Sequence, residues 1–216
     1  MKLNNYDIFR NDRGSRGGGV FIAVKKDFCG ELVESCKETE SIFVKINIKG
    51  RKSIIFGSVY RPPPSNFDFC TKTVNNIYKI FNKSKSSIFC IGGDFNLPDI
   101  DWANFEVVGS QYPLAINNLF LDMANYLCFN QIIDKPTRGN RILDLLFTNR
   151  PEIFINPDVL SGPADHGLIS VNCVLKPIVK KPAKRKILLW SKVDASKILE
   201  ATSKFKENFF KLFNKE

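Results

Sequence analysis

Alternating apolar residues mark the strands of this chain, and a change of period marks its helices. In Ser41 to Gly50, apolar side chains occupy every second position from Ile42 to Ile48, a pattern typical of a half-buried strand. Apolar residues recur instead at helical spacing between Val74 and Phe81 and between Leu119 and Leu127. Further strands are predicted at 17–26, 52–60, 88–91, 141–149, 152–160 and 166–175.

Mixed strands and helices, with strands dominating both ends of the globular part, predict an α/β or α+β fold. We expect a two-sheet β-sandwich flanked by helices. The globular domain should span residues 1–175, followed by a Pro- and Lys-rich linker at 176–191. Residues 192–216 are predicted to contain an amphipathic helix that Asp194 caps, with an apolar stripe from Ile198 to Leu212.

The strand at 88–91 runs directly into Gly92-Gly93-Asp94-Phe95-Asn96. Glycines at a strand end permit a sharp turn and the close approach of another group. Beyond them, Asp94 could orient or deprotonate a water molecule, and the amide of Asn96 could donate to a phosphate oxygen. The alternative is a simple turn in which the acid accepts a backbone N–H.

Three further polar features stand at or inside predicted strands. Asp144 interrupts an apolar run, so it needs a partner unless it faces solvent from an edge strand. Asp165 and His166, the only histidine of the chain, precede the last strand, and the imidazole could pair with Asp144 or be purely structural. Tyr60 ends a strand as Asp94 does, and could contact an anion or pack at a sheet edge.

The net charge of +10 lies mostly in residues 176–216. A polyanion such as nucleic acid would suit this basic extension, although a solvated tail explains the charge equally well. The six cysteines form no C-x-x-C pair, which favours reduced thiols in an intracellular protein. No apolar run is long enough to span a membrane, and the first residues do not form a signal peptide.

Four motifs in order, GSVYRPP, IGGDFNLPDIDW, RILDLLFTN and PADHGLISV, resemble the endonuclease/exonuclease/phosphatase superfamily. The chain is most similar to the apurinic-endonuclease-like domains of non-LTR (LINE-type) retrotransposons, over roughly Tyr6 to Val174. Each motif alone is weak, whereas the ordered set is specific. The resemblance implies a metal-dependent phosphodiesterase that nicks DNA, a reverse transcriptase downstream in the parent element, no membrane partner, and a nuclear location.

The resemblance also implies a role for individual residues. Tyr60 would contact the scissile phosphate or position the leaving group. Asp94 would orient or deprotonate the attacking water, and Asn96 would hold a phosphate oxygen. Asp144 would pair with His166, which would touch the phosphate.

The remaining implied roles concern the metal ion and the nucleic acid. Asp165 would help to hold Mg²⁺ or Mn²⁺, which neutralises charge during the displacement. Contacts with DNA are expected from Arg61, Thr137 and Arg138.

Two departures from the family pattern lead us to expect reduced activity. The strands that carry an asparagine and the principal metal-binding glutamate precede the YDIFR stretch in the family, and this chain starts close to that stretch, so we expect an N-terminally truncated domain. The family's serine before the Asp-His pair is Ala164 here. Losing one electrostatic group at a reacting centre costs roughly 3 kcal/mol. A noncatalytic nucleic-acid-binding remnant and a small-molecule or lipid phosphatase are the alternatives.

Overall fold

A computed structural model of the protein describes residues 4–14, 17–50, 52–162, 164–179, 192 and 194–213. The strands in this part are β1 Tyr6–Asn11, β2 Val20–Lys25, β3 Glu31–Cys36, β4 Ser41–Ile46, β5 Ile54–Tyr60, β6 Ile88–Asp94, β7 Ile100–Asp101, β8 Glu106–Val107, β9 Asn130–Gln131, β10 Asp144–Thr148, β11 Phe154–Leu160 and β12 Leu168–Cys173. The helices are α1 Phe67–Lys83, α2 Leu114–Tyr126 and α3 Ala195–Phe213, with short 3₁₀ turns at Lys26–Phe28, Lys37–Thr39 and Pro151–Ile153.

The central sheet has six strands in the order β3-β4-β5-β6-β10-β9. Only β5 and β6 run parallel to each other, and α1 is the crossover that connects them. The other neighbours in this sheet are antiparallel. Consequently the end of β5, the end of β6 and the start of β10 lie side by side at one edge of the sheet.

The two long helices of the globular part cover one face of this sheet. The side chain of Asn66 accepts the N–H of Phe69 and so caps the start of α1. From α1, Val74, Ile77 and Ile80 are buried, as their helical spacing predicts. They pack with α2 and with alternate residues of β4, β5, β6 and β10 in the larger hydrophobic cluster. The mixed α/β fold with flanking helices is therefore confirmed.

Two separate hairpins, rather than one second sheet, lie over the other face. β1 pairs with β2 and β11 pairs with β12, each as a two-stranded antiparallel sheet among the described residues. Val24 and Phe154 from these hairpins join Ile54, Cys90 and Leu146 in the second hydrophobic cluster. An apolar groove of about 540 Å³ runs along β2 and the central sheet, lined among others by Phe21, Ile22, Phe56 and Leu146.

The chain divides into two units, Met1–Lys180 and Lys181–Glu216. Residues 176–179 of the predicted linker belong to the first unit, because Lys176 and Ile178 exchange backbone hydrogen bonds with the segment that follows β4. Residues 180–191 of that linker lie outside the described residues. The helix α3 begins after Asp194, whose carboxylate accepts the N–H of Ser196, as the sequence predicts. No described helix has the length and apolar character that crossing a bilayer would require.

Candidate active site at the ends of three strands

The sheet register brings three of the predicted side chains to one edge. Tyr60 is the last residue of β5 and is the direct partner of Asp94 at the end of β6. On the other side of β6, Asp144 at the start of β10 is also the partner of Asp94. Residues directly opposite in neighbouring strands lie about 5 Å apart at their Cα atoms. One phenol and two carboxylates therefore share a single edge of the sheet.

Gly93 allows β5 and β6 to come together at this edge. Its φ is +148°, a backbone conformation that side chains rarely permit. A Cβ atom there would lie only 1.8 Å from the carbonyl oxygen of Val59. Glycine is thus required both by the positive φ of this position and by the close approach of the neighbouring strand, immediately before Asp94.

The structure pairs Asp144 with His166. The Oδ2 atom of Asp144 lies 2.8 Å from Nδ1 of the imidazole, and both side chains are mostly buried. When Nδ1 carries a proton that it donates to this carboxylate, Nε2 is left for a ligand. The alternative in which Asp144 faces solvent from an edge strand is wrong, because its side chain is only 18% exposed and bonds to His166.

Asp94, Asp144 and His166 form a cluster in which one potential ligand atom from each lies within 4.8 Å of the others. Burial and, secondarily, the charge of Asp144 raise the pKa of Asp94 above its ordinary value. Two carboxylates that repel each other in a half-buried cleft are suitable oxygen ligands for a divalent ion such as Mg²⁺. The donor set therefore fits a metal held by Asp94 and Asp144, while the imidazole pairs with the latter.

The segment after Asp94 forms the turn that was the alternative prediction for this stretch, and the turn buries Asn96. The N–H of Asn96 donates to Oδ1 of Asp94 at 3.2 Å, which makes the expected turn. Asn96 itself is buried, has a φ of +49°, and donates from Nδ2 to the carbonyl oxygen of Arg61. One amide N–H is thereby used, so the contact of Asn96 with a phosphate stays a prediction.

Arg61 does not fulfil the predicted contact with nucleic acid. Its side chain is fully buried, and Nη1 donates to the carbonyl oxygens of Phe95 and Asn96 at 3.3 and 2.7 Å. The guanidinium also lies over the ring of Tyr112, 4.2 Å from its centroid. Arg61 therefore supports the turn after Asp94 from inside the protein.

Two other sequence predictions need correction. Asp165, the expected metal ligand, lies outside the carboxylate–imidazole cluster, and its exposed carboxylate forms a 2.6 Å ion pair with Arg138. Thr137 is buried, so it cannot contact DNA; its hydroxyl accepts hydrogen bonds from the backbone of Leu143 and Asp144. Of the three predicted DNA contacts, only Arg138 has a half-exposed side chain.

Sequence reasoning missed Arg13 and Glu40 beside Tyr60. The guanidinium of Arg13 lies 5.6 Å from the centre of the Tyr60 ring and forms an ion pair with Glu40. Glu40 is buried, also accepts the N–H of Gly19, and has its carbonyl oxygen bonded to the N–H of Tyr60. The hydrogen bond to Glu40 and the charge of that carboxylate raise the pKa of Arg13. Because 27 residues separate the two, no spacing in the sequence points to this pair.

A pocket of about 340 Å³ lies beside the turn that contains Asn96. Tyr112, Arg138 and Arg141 contribute an aromatic ring and two cationic groups to its wall. The Arg141 side chain is fixed by a hydrogen bond to Gln111. Such a combination can stack against a planar group and attract an anion.

Comparison with known proteins identifies the family of the chain and proteins of similar fold. A family model described as endonuclease–reverse transcriptase matches residues 54–170, slightly more than half of the chain. Among curated proteins, none matches this sequence. The fold is similar to that of a mannosyl-6-phosphatase from Bacteroides thetaiotaomicron VPI-5482, with a TM-score of 0.51 and 12% identity over 80% of this chain and 78% of that one. An endonuclease/exonuclease/phosphatase family protein from Bacteroides thetaiotaomicron has a TM-score of 0.50 and 12% identity over 78% of this chain and 75% of that one.

Proposed function

Because the chain belongs to the endonuclease–reverse transcriptase family, we propose that it is a metal-dependent phosphodiesterase of the retrotransposon endonuclease type that nicks DNA. The observation that carries this proposal is that Asp94 and Asp144, at the ends of adjacent strands, meet His166 from the loop before β12. Two carboxylates and an oriented imidazole provide a base, a metal-binding pair and a phosphate contact within one cleft.

Hydrolysis of a phosphodiester forms a P–O bond to a water oxygen and breaks the P–O bond to the leaving nucleotide. One oxygen of Asp94 accepts the proton of that water, and its other oxygen would remain available to the metal ion. Asp144 orients His166 so that Nε2 contacts a phosphate oxygen. The hydroxyl of Tyr60 donates to the leaving oxygen, and a bound Mg²⁺ or Mn²⁺ would neutralise charge on the phosphate.

The substrate is proposed to be DNA because of the surface next to this cleft. Arg138 and Arg141 can contact phosphates of the bound strand, and the ring of Tyr112 can stack on a base that flanks the cleavage position. The lysines of the C-terminal extension add nonspecific attraction to the backbone. A reverse transcriptase encoded with the same element is the expected partner, and a nuclear location follows from a DNA substrate.

Only three residues form the described metal-binding cluster, and one of them is a histidine bonded to a carboxylate. Mg²⁺ prefers several oxygen ligands. We therefore expect weak metal affinity and low activity with either Mg²⁺ or Mn²⁺.

The test is nicking of supercoiled plasmid by the purified chain in Mg²⁺, in Mn²⁺ and in EDTA. We expect conversion to open circles only with metal, and loss of at least about a hundredfold of the rate in both Asp94→Asn and His166→Ala. Asp122→Asn, which changes an exposed acid of α2, is the matched control and should nick normally. DNA retardation without nicking under any condition would instead identify the noncatalytic remnant. Release of phosphate from sugar phosphates with intact plasmid would identify the phosphatase.

A further inference from the structure

A buried threonine connects the two members of the acid–imidazole pair. The hydroxyl of Thr137 accepts the N–H of Asp144, and its carbonyl oxygen accepts the N–H of Gly167, the residue after His166. We infer that Thr137 is a positioning residue that holds Asp144 and His166 in contact. The consequence for reaction rate rests on the proposed function, whereas the consequence for geometry does not.

The hydroxyl acts where β10 begins. Its oxygen lies 3.0 Å from the N atoms of both Leu143 and Asp144, so one side chain satisfies two consecutive backbone donors. Leu143 is buried, and its carbonyl oxygen in turn accepts the N–H of Phe95, directly after Asp94. The position of the Asp144 backbone relative to β6 therefore depends on this hydroxyl.

The carbonyl group of Thr137 acts on the other member of the pair. It accepts the N–H of Gly167 at 2.6 Å, which fixes the chain directly after the histidine. On the opposite side the backbone of His166 is held closely, since a Cβ atom added to Gly162 would lie 1.9 Å from the His166 carbonyl oxygen. His166 thus reaches Asp144 from a backbone that Thr137 and Gly162 restrain from two directions.

Thr137 can serve as this link because its own place is fixed. Its N–H donates to the carbonyl oxygen of Arg141 at 2.9 Å, and Arg138 pairs with Arg141 across the same tight turn. The side chain is only 2% exposed, so water cannot replace the hydroxyl. Valine has the same shape but no acceptor, which would leave two backbone N–H groups without a partner.

The chain offers a direct probe of the pair, because His166 is its only histidine. With ¹⁵N-labelled imidazole, NMR will show one set of ring signals, including a slowly exchanging Nδ1–H proton if Asp144 accepts it. We expect Thr137→Val to lose or broaden that proton resonance, and Thr137→Ser, which keeps the hydroxyl, to retain it. If plasmid nicking is detected, Thr137→Val should also lower kcat roughly ten- to a hundredfold with little change in KM.

Thr148→Val is the matched control. Thr148 lies in β10 at the end opposite to Asp144, where its register partner is Cys90. It is fully buried and accepts one backbone N–H, from Arg150. The Thr148→Val protein should also lose free energy of unfolding, because a buried N–H loses its acceptor, but it should keep the wild-type imidazole signals. The inference is overturned if Thr137→Val keeps those signals, or if Thr148→Val changes them as much.

A measurement on the wild-type chain covers the case in which Thr137→Val does not fold. The backbone amides of Asp144 and Gly167 should exchange their hydrogens slowly. Without the bonds to Thr137 both should exchange fast, because Asp144 begins a strand and Gly167 precedes one. Rapid exchange at both amides would overturn the inference. An absence of nicking in every variant, with the imidazole differences present, would count against the proposed function and leave the positioning role standing.

Discussion

Replacement of Gly93 by alanine should separate the strands that carry the site. The new Cβ atom would lie 1.8 Å from the carbonyl oxygen of Val59, and 2.8 Å from the adjoining carbon. An ordinary contact needs more than 3 Å, so the backbone of β5 or β6 must move by more than 1 Å. The neighbouring atoms belong to the backbone, and no rotation of a side chain can relieve the overlap. The φ of +148° adds strain of about 1–3 kcal/mol for any residue with a side chain.

Together these effects predict a loss of at least about 4 kcal/mol in the free energy of unfolding. For a chain of this size that loss corresponds to a fall in melting temperature of roughly 8–16 °C. Circular dichroism during heating measures the change. Because Tyr60 and Asp94 are register partners directly beyond the overlap, nicking by any folded fraction should be lost as well.

Gly92→Ala provides the control at the adjacent position. Its Cβ would meet only the end of the Leu146 side chain, at 3.0 Å, and the next atom at 3.6 Å. A flexible methyl group can move by a few tenths of an ångström, so we expect a loss below about 1.5 kcal/mol. Equal melting temperatures for the two variants, or a Gly93→Ala protein that melts within 2–4 °C of wild type, would refute the reasoning.

Two further predictions concern charge. In EDTA, Asp94→Asn should melt at a higher temperature than wild type at pH 7, because burial raises the pKa of Asp94 and the ionised carboxylate destabilises the fold. A raised pKa lowers stability only as pH rises through it, so the advantage should vanish below the ordinary aspartate pKa of about 3.9; an advantage that grows in acid would contradict this. Arg61→Lys should lose about 3 kcal/mol in urea unfolding, because one ammonium cannot bond both carbonyl groups and stack on Tyr112. Its DNA affinity in the folded protein should match wild type, and a large loss of affinity would restore the sequence-based role of Arg61.

The periodic segments of the sequence were sufficient to predict the layered fold. Apolar alternation identified β4, and the apolar runs ending in glycine or proline identified β5 and β6, because burial on both faces requires uninterrupted apolar residues. β1 and β3 were not predicted. Each carries charged residues and packs with only one buried side, so their hydrophobic pattern is weak. The division of the second layer into two hairpins was not predicted either, because strand pairing between residues far apart in the sequence leaves no local pattern.

Strand ends and the need of a buried acid for a partner were sufficient to predict that Asp94, Asp144 and His166 meet, whereas the places of Arg61 and Asp165 were not predicted correctly. Asp94 and Asp144 follow from register, since both belong to the same sheet. Arg61 was assigned to DNA by its motif. Its burial could not be read from the sequence, because arginine is rarely buried and here two carbonyl groups and the ring of Tyr112 accommodate the guanidinium. Asp165 was assigned to the metal by its motif alone, and its neighbour Arg138 competes for the same carboxylate.

The groove along β2 has a consequence for handling the protein. It exposes Phe21 and an edge of β2 that pairs with no other strand among the described residues, a combination that favours aggregation. At low ionic strength the charge of +10 keeps molecules apart, and concentrated salt removes that repulsion. Preparations should therefore be held in dilute buffer, and a salting-out step during purification will drive the chain toward precipitate.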